Sequence, residues 1–267
     1  MYRCASCSTA FVDPTPSAAF LERYYAQFHR TLEEGGGYER FEARNAADFA
    51  AKIRLIRRTL GTLGVGAHRL LDVGCGKGQF VRACVEAGVD ASGIDLSSTA
   101  VAAARSVARV SAVCGRLEEH SEALGRFDAV TFWATIEHVP DPVATLRSIR
   151  RVLKPGGFVF LDTGAGCDWL DRLLPGFVSW YDPPQHLFVF SRDGLRRALD
   201  AAGLDLVRLD PCFERSALRR VARILRGAAA GVGLRSVAAL TRLQGSAFGF
   251  TRFPIGNLML AVARARA

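Results

Sequence analysis

An apolar strand, Leu70-Leu71-Asp72-Val73, runs straight into glycines at positions 74, 76 and 78 and then into a helix-forming segment from Gln79 and Phe80. No other stretch limits the fold as much, and it reads as a nucleotide pocket. Glycine reaches positive φ without steric cost and lets a ligand approach where a Cβ would block it, while the next helix offers free N–H groups at its start. The spacing narrows the ligand. A dinucleotide fingerprint, G-x-G-x-x-G, needs its third glycine at position 79, where Gln79 stands instead. Further on, Ser92-Gly93-Ile94-Asp95-Leu96-Ser97 is a short strand ending in an acid, about 20 residues after the loop, where an α/β nucleotide site places a carboxylate for ribose hydroxyls. A ligand-free strand-to-helix turn is the competing reading of any glycine cluster, and the timely Asp95 weighs against it.

Around this stretch, strand and helix patterns alternate, which predicts a parallel sheet covered on both faces. Strands are expected at 69–73, 91–95, 110–114, 127–133 and 158–162, with helices at 79–87 and 98–107, the latter capped by Ser97 or Ser98. Asp141-Pro142 starts another helix, and Leu153-Lys154-Pro155-Gly156-Gly157 ends it in a turn. Beyond the fifth strand, Ser191-Arg192-Asp193 opens a helix to about Ala202, and 206–209 and 258–263 read as the last two strands. Before the core, Phe20, Leu21, Tyr24, Tyr25 and Phe28 recur at helical intervals, and after Gly35-Gly36-Gly37 a longer helix shows Phe41, Phe49, Ile53, Ile56 and Leu60 on one face.

The G-x-G-x-G spacing after Asp72 resembles motif I of the class I S-adenosylmethionine-dependent methyltransferases, and Phe127-Asp128-Ala129-Val130 and the Leu153–Gly157 segment resemble that family as closely. The resemblance runs from about Leu70 to Leu209. It implies an α/β, Rossmann-like fold: a seven-stranded, mostly parallel sheet with helices on both faces, and S-adenosyl-L-methionine as cofactor. The expected organisation is a zinc-ribbon-like remnant at 1–16, an N-terminal helical cap at 17–64, the core at 65–212, a basic helical insertion at 213–256, and a last strand with tail at 257–267. By the same resemblance, Gly74, Cys75, Gly76 and Gly78 pass backbone around the methionine and ribose. Asp72 helps the amino end, Asp95 accepts from the ribose hydroxyls, and Leu96 lies against adenine. The Arg116-Leu117 turn faces the adenine edge, although the family usually has an acid or amide where Arg116 stands. Tyr25, Tyr38 and Arg44 are candidates for the methionine end, each with core packing as the alternative, and Trp133, Ala134 and His138 for contacts beyond the fourth strand.

A methyl already activated by a sulfonium needs an aligned nucleophile and exclusion of water more than it needs catalytic groups. Three side chains are candidates for catalysis: His186, His138 and Tyr181. His186 lies in Pro183-Pro184-Gln185-His186-Leu187, a segment that resembles many bacterial small-molecule methyltransferases; it is read either as a base or as a loop-fixing hydrogen bonder. Trp133 to Pro142 resembles the E-H-V-P-D-P stretch of the polyprenyl-quinol O-methyltransferases, some of which hold magnesium with E-x2-E-H. Ala134 replaces the first Glu, and Glu137 with His138 alone makes a poor hard-cation site, so no metal is expected. The function implied is methyl transfer to a small-molecule acceptor, oxygen favoured over nitrogen or carbon, in secondary-metabolite or cell-surface glycan or lipid biosynthesis. A non-catalytic cofactor-binding partner and a nucleic-acid methyltransferase are the alternatives.

Charge argues against nucleic acid as a partner. Of the net +9, all falls between 214 and 267, which holds ten Arg, no Lys and one acid. There Arg215, Arg219, Arg223 and Arg226 form one helical stripe, read as a solvated lid or as a contact for a membrane surface or anionic acceptor. The apolar run Phe253–Ala263 falls short of the ~18 residues that span a bilayer, and no signal peptide opens the sequence, so a cytoplasmic location is expected. Seven scattered cysteines suit a reducing compartment. Cys4 and Cys7 resemble the second knuckle of a zinc ribbon without the first. Two cysteines cannot close a four-ligand site, so an unmetallated, frayed terminus is expected.

Overall fold

The computed structural model describes residues 1–17, 19–21, 23–25, 27, 37–61, 68–166, 181, 183–212 and 258–266, and the side chains of the first helix from Asp48 onward. Trp180, the apolar, aromatic segment before it and the basic insertion at 213–256 with its arginine stripe lie outside the described residues, as do Phe28 and other positions of the helical Phe20–Phe28 stretch.

The main sheet contains β3 (Arg69–Val73), β4 (Asp90–Asp95), β5 (Ala112–Cys114), β6 (Phe127–Trp133), β7 (Leu153–Gly164), β9 (Leu204–Cys212) and β10 (Leu258–Ala265). β1 (Tyr2–Arg3), β2 (Ala10–Phe11) and β8 (Phe188–Val189) form a second, small sheet. Strand order in the main sheet is β5-β4-β3-β6-β7-β10-β9. The first five run parallel, and β10 is antiparallel to both β7 and β9. The seven-stranded, mostly parallel sheet expected from the sequence is thus the one that forms.

Both faces carry helices because β3 and β6 are buried almost throughout. On one side α1 (Gly37–Leu60), α2 (Gln79–Glu86) and α3 (Ser98–Ser106) close over Leu70, Ala129 and Phe160 with Ile53, Ile56, Phe80, Val81 and Val101. On the other, beyond the single turn α4 (Leu117–His120), α5 (Pro142–Val152) and α6 (Arg192–Ala201) bring Leu146, Ile149, Leu195 and Leu199 against Leu71, Val130 and Phe132. Each large side chain fully buried here contributes about 1.5–3 kcal/mol relative to exposure. The caps expected at Ser97 and Asp141 form, their side chains accepting from the backbone N–H of Ala100 and Ala144, and Ser191 caps α6 in the same way through the Gly194 N–H. The Pro-Gly segment after α5 is a bulge inside β7. Leu153 pairs with Phe127, and the register then shifts so that Phe158 faces Ala129.

The N-terminus corrects an expectation. It is not frayed: β2 pairs with β1 on one side and with β8 on the other. Val12 donates its N–H to the Leu187 carbonyl at 2.9 Å, Thr9 Oγ1 accepts from the Ser191 N–H at 3.2 Å, and Ser191 Oγ donates to the Cys7 carbonyl. Local turn chemistry in the C-x2-C segment suggested the knuckle, but its partner strand lies far along the chain, where a sequence scan has no sight of it.

Candidate active site

The sheet reverses its direction of travel at β3, whose chain-order neighbour β4 lies on one side and β6 on the other, so a crevice opens at the carboxyl ends of these strands. Gly74, Gly76 and Gly78 all adopt positive φ (74°, 54° and 76°). Packing demands two of them: a Cβ at Gly74 would sit 2.5 Å from Thr135 Oγ1, and one at Gly78 would sit 2.7 Å from Val110. A Cβ on Gly76 meets nothing within 4 Å. Its bareness leaves an open cradle, the shape a cofactor needs.

Asp95 ties this cradle to the next strand. One carboxylate oxygen accepts from the Gly76 N–H and the other from the Ser97 N–H, each at 2.8 Å. The carboxylate is thereby fixed at the rim with lone pairs left over for a diol. Asp72, beneath the loop, is 4% exposed and accepts from Thr131 Oγ1 at 2.6 Å; burial pushes its pKa up to about 7. The Cys75 side chain turns inward against Gly93, and burial pushes its thiol far above the usual range, so this residue offers only backbone to a ligand. Leu96 is half-buried after β4, and Arg116 precedes α4. Leu117 is a core residue, 3% exposed, so a cofactor contact there falls to backbone.

Across the crevice, Trp133 packs edge-on to Phe80 at 5.8 Å, and its indole N–H has no partner among the described residues. Ala134 follows in a left-handed conformation, φ 43°. Its N–H donates to Asp162 Oδ1 at 2.7 Å, and Asp162 Oδ2 pairs with Lys52 at 2.8 Å. Lys52 and Asp162 were not among the expected residues. The signal was present, since Lys52 falls on the Phe49–Ile53–Ile56 face of its helix, where a lysine is out of place.

The loop after β6 and the loop before β8 meet in a cluster of Glu137, His138 and His186. The His138 and His186 rings are 5.0 Å apart, and each of the three side chains offers a ligand atom within 4.8 Å of the others. The His138 Nδ1 lies 2.5 Å from the Gln185 carbonyl, which can only accept, so that nitrogen carries the proton. Burial lowers the His138 pKa to about 4 despite that bond. Glu137 is 3% exposed, and burial raises it to about 7 although the neighbouring His186 pulls the other way. Its backbone carbonyl accepts from the N–H of Leu187 and Phe188, which locks the two loops together. From the sequence, Glu137 and His138 alone make a poor hard-cation site for want of a third donor. His186, 49 residues away, supplies one.

Tyr25 joins this cluster, its hydroxyl donating to the Gln185 carbonyl at 3.2 Å and its ring edge-on to His138. It therefore stands by the histidines, while Tyr38 and Arg44 share helix α1 with side chains outside the description. Tyr181 is placed elsewhere: it packs with Ala10, Val189 and Leu258, and its hydroxyl accepts from Arg3.

The methyltransferase domain family matches residues 20–209. This chain belongs to that family. The methyltransferase is 31% identical over 212 residues to the ubiquinone biosynthesis O-methyltransferase of Methylococcus capsulatus (strain ATCC 33009 / NCIMB 11132 / Bath), covering 72% of this chain and 85% of the relative. A namesake from Pseudomonas aeruginosa (strain UCBPP-PA14) is 38% identical over 161 residues, 53% of this chain and 69% of its own. Among solved structures, the [4+2]-cyclase SpnF superposes with a TM-score of 0.63 at 22% identity, covering 95% of this chain and 98% of that one. Phosphoethanolamine N-methyltransferase 2 of Haemonchus contortus, in complex with S-adenosyl-L-methionine, gives 0.61 at 20% identity, covering 96% and 62%. The protein is an S-adenosylmethionine-dependent methyltransferase with a small-molecule acceptor. Among the described residues no helix is long and apolar enough to cross a membrane.

Proposed function

We propose that this methyltransferase moves the methyl group to a hydroxyl oxygen of a small acceptor and that His186 takes the acceptor's proton. The gathering of Glu137, His138 and His186 beside the Ala134 turn carries this reading, and the O-methyltransferases among its relatives support oxygen as the methylated atom. S-adenosyl-L-methionine, when bound, supplies a carbon that any correctly aligned oxygen can attack. The chain's own tasks are to hold the ribose at Asp95, pass backbone along the methionine at Gly74 and Gly76, and keep water from the reacting centre. His138 stays neutral and turned toward Gln185, which leaves proton acceptance to His186, with the Glu137 carboxylate behind it to stabilise the imidazolium. A cytoplasmic site of action and contact of the 213–256 arginines with an anionic acceptor or membrane surface belong to the same proposal and rest on sequence alone.

The test is release of S-adenosylhomocysteine with a panel of phenols, sugars and lipid precursors. His186→Ala is expected to lower turnover by about 100-fold or more, as for a lost general base, with S-adenosylhomocysteine affinity unchanged; full turnover in this variant removes the base role. The same three side chains form a candidate nitrogen–oxygen site for a divalent ion, so the assay is repeated with a chelator. Unchanged activity supports proton acceptance, whereas loss that a divalent ion reverses reassigns the cluster to metal binding.

A further inference from the structure

Lys52 lies on the apolar face of α1, three residues after Phe49 and four before Ile56, among side chains that otherwise form the core. An ammonium there is costly unless it is paired. It is paired twice, with Asp162 at 2.8 Å and Asp48 at 3.1 Å, and it stands 4.3 Å from the centre of the Trp133 ring. The Lys52 and Asp162 side chains are each only 14% exposed. Asp162 lies opposite Trp133 in the β6–β7 ladder, and it holds the Ala134 N–H twice, through its second carboxylate oxygen at 2.7 Å and its main-chain carbonyl at 3.1 Å, the side-chain bond being the shorter. Ala134 is held in a backbone conformation that side chains with a Cβ rarely adopt, so something must impose it. Its neighbour Thr135 fills the space that a side chain on Gly74, at the head of the glycine loop, would need.

We propose that Lys52 is a positioning residue of the cofactor site, acting through Asp162: it fixes the carboxylate that pins Ala134 and draws the cap helix onto the carboxyl edge of the sheet. The inference rests on the reading of the Gly74–Ala134 edge as the methionine end of that site. Asp162 serves both partners at once, one oxygen for the ammonium and one for the N–H. Neither the glycine loop nor the histidine cluster contains this connection, and it ties a side chain of the helical cap to backbone at the site.

Calorimetry with S-adenosylhomocysteine on the full chain tests it, using the parent, Lys52→Met, Asp162→Asn and the double variant. A parent that does not bind overturns the cofactor reading and this inference with it. With a binding parent, Lys52→Met is expected to weaken affinity by about tenfold, and the double variant by less than the product of the single losses, because it leaves no unpaired buried charge. Parent-like affinity in Lys52→Met, or losses that simply multiply, overturns the proposal. So does a lowered melting temperature with unchanged affinity below it, which would make Lys52 a structural strut alone. Should Lys52→Met not fold, Asp162→Asn decides: it keeps an acceptor for Ala134 but removes the anchor for Lys52, and parent-like affinity there also refutes the inference.

Discussion

Gly76 and Gly78 share a left-handed backbone but for different reasons. Gly78 begins α2 with Val110 and Ala104 packed against it, so Gly78→Ala adds overpacking to the φ cost and is expected to destabilise by about 2–4 kcal/mol. Gly76 faces open space, so Gly76→Ala should lose only about 1–2 kcal/mol of stability yet bind S-adenosylhomocysteine far more weakly. Urea titration and calorimetry on the two variants separate fold from cradle, and equal affinities would deny Gly76 its place in the site. Both glycines were legible in the sequence because the reasons for them are local: a strand, a turn and a helix start within ten residues. Glu137 was not, because its significance depends on His186, which a loop far along the chain brings beside it. Lys52 lay between the two cases, its odd position visible in the helical repeat and its partner Asp162 hidden at the end of a strand.

At the scale of elements, strand order and capping followed from pattern, whereas the small second sheet did not. β1 and β2 are two residues each, too short for any period to register. What they do is brace β8, the element that follows His186. Thr9 is the central contact, since its hydroxyl accepts the Ser191 N–H inside the protein. Thr9→Val keeps the shape and leaves that N–H unpaired, at a cost of about 1–3 kcal/mol. Because Val12 also holds the Leu187 carbonyl, loosening the hairpin should lower kcat while S-adenosylhomocysteine affinity stays at the parent value. Equal loss of both would mean that the hairpin supports the whole domain and not this loop. Cys4 belongs to the same turn, where the backbone N–H groups of Cys7 and Ser6 hold its thiol below the ordinary value.

For the molecule as a whole, the buried acids Asp72 and Glu137 and the half-buried His138 set opposite pH slopes. Asp72 and Glu137 have folded pKa values raised to about 7, so the stability they contribute is complete in acid and is lost as pH climbs toward 7. His138 is lowered to about 4, so its contribution is present above the ordinary histidine value and fades as pH falls from about 6.5 to 4. Two acids outweigh one histidine. The ligand-free protein should therefore be more resistant to urea at pH 5.5 than at pH 7.5, by on the order of a few kcal/mol. Asp72→Asn should flatten that slope and His138→Gln should steepen it; a profile that rises toward neutrality would contradict the burial of these groups. The position of β10 has a consequence for biosynthesis. The segment nearest the end of the chain slots between β7 and β9, so β9 emerges from the ribosome well before the neighbour that must join it to the sheet. Until then two strand edges stand open to other nascent chains, and a ribosome stalled within the 45 codons between β9 and β10 would leave a half-zipped domain for chaperones or proteases to handle.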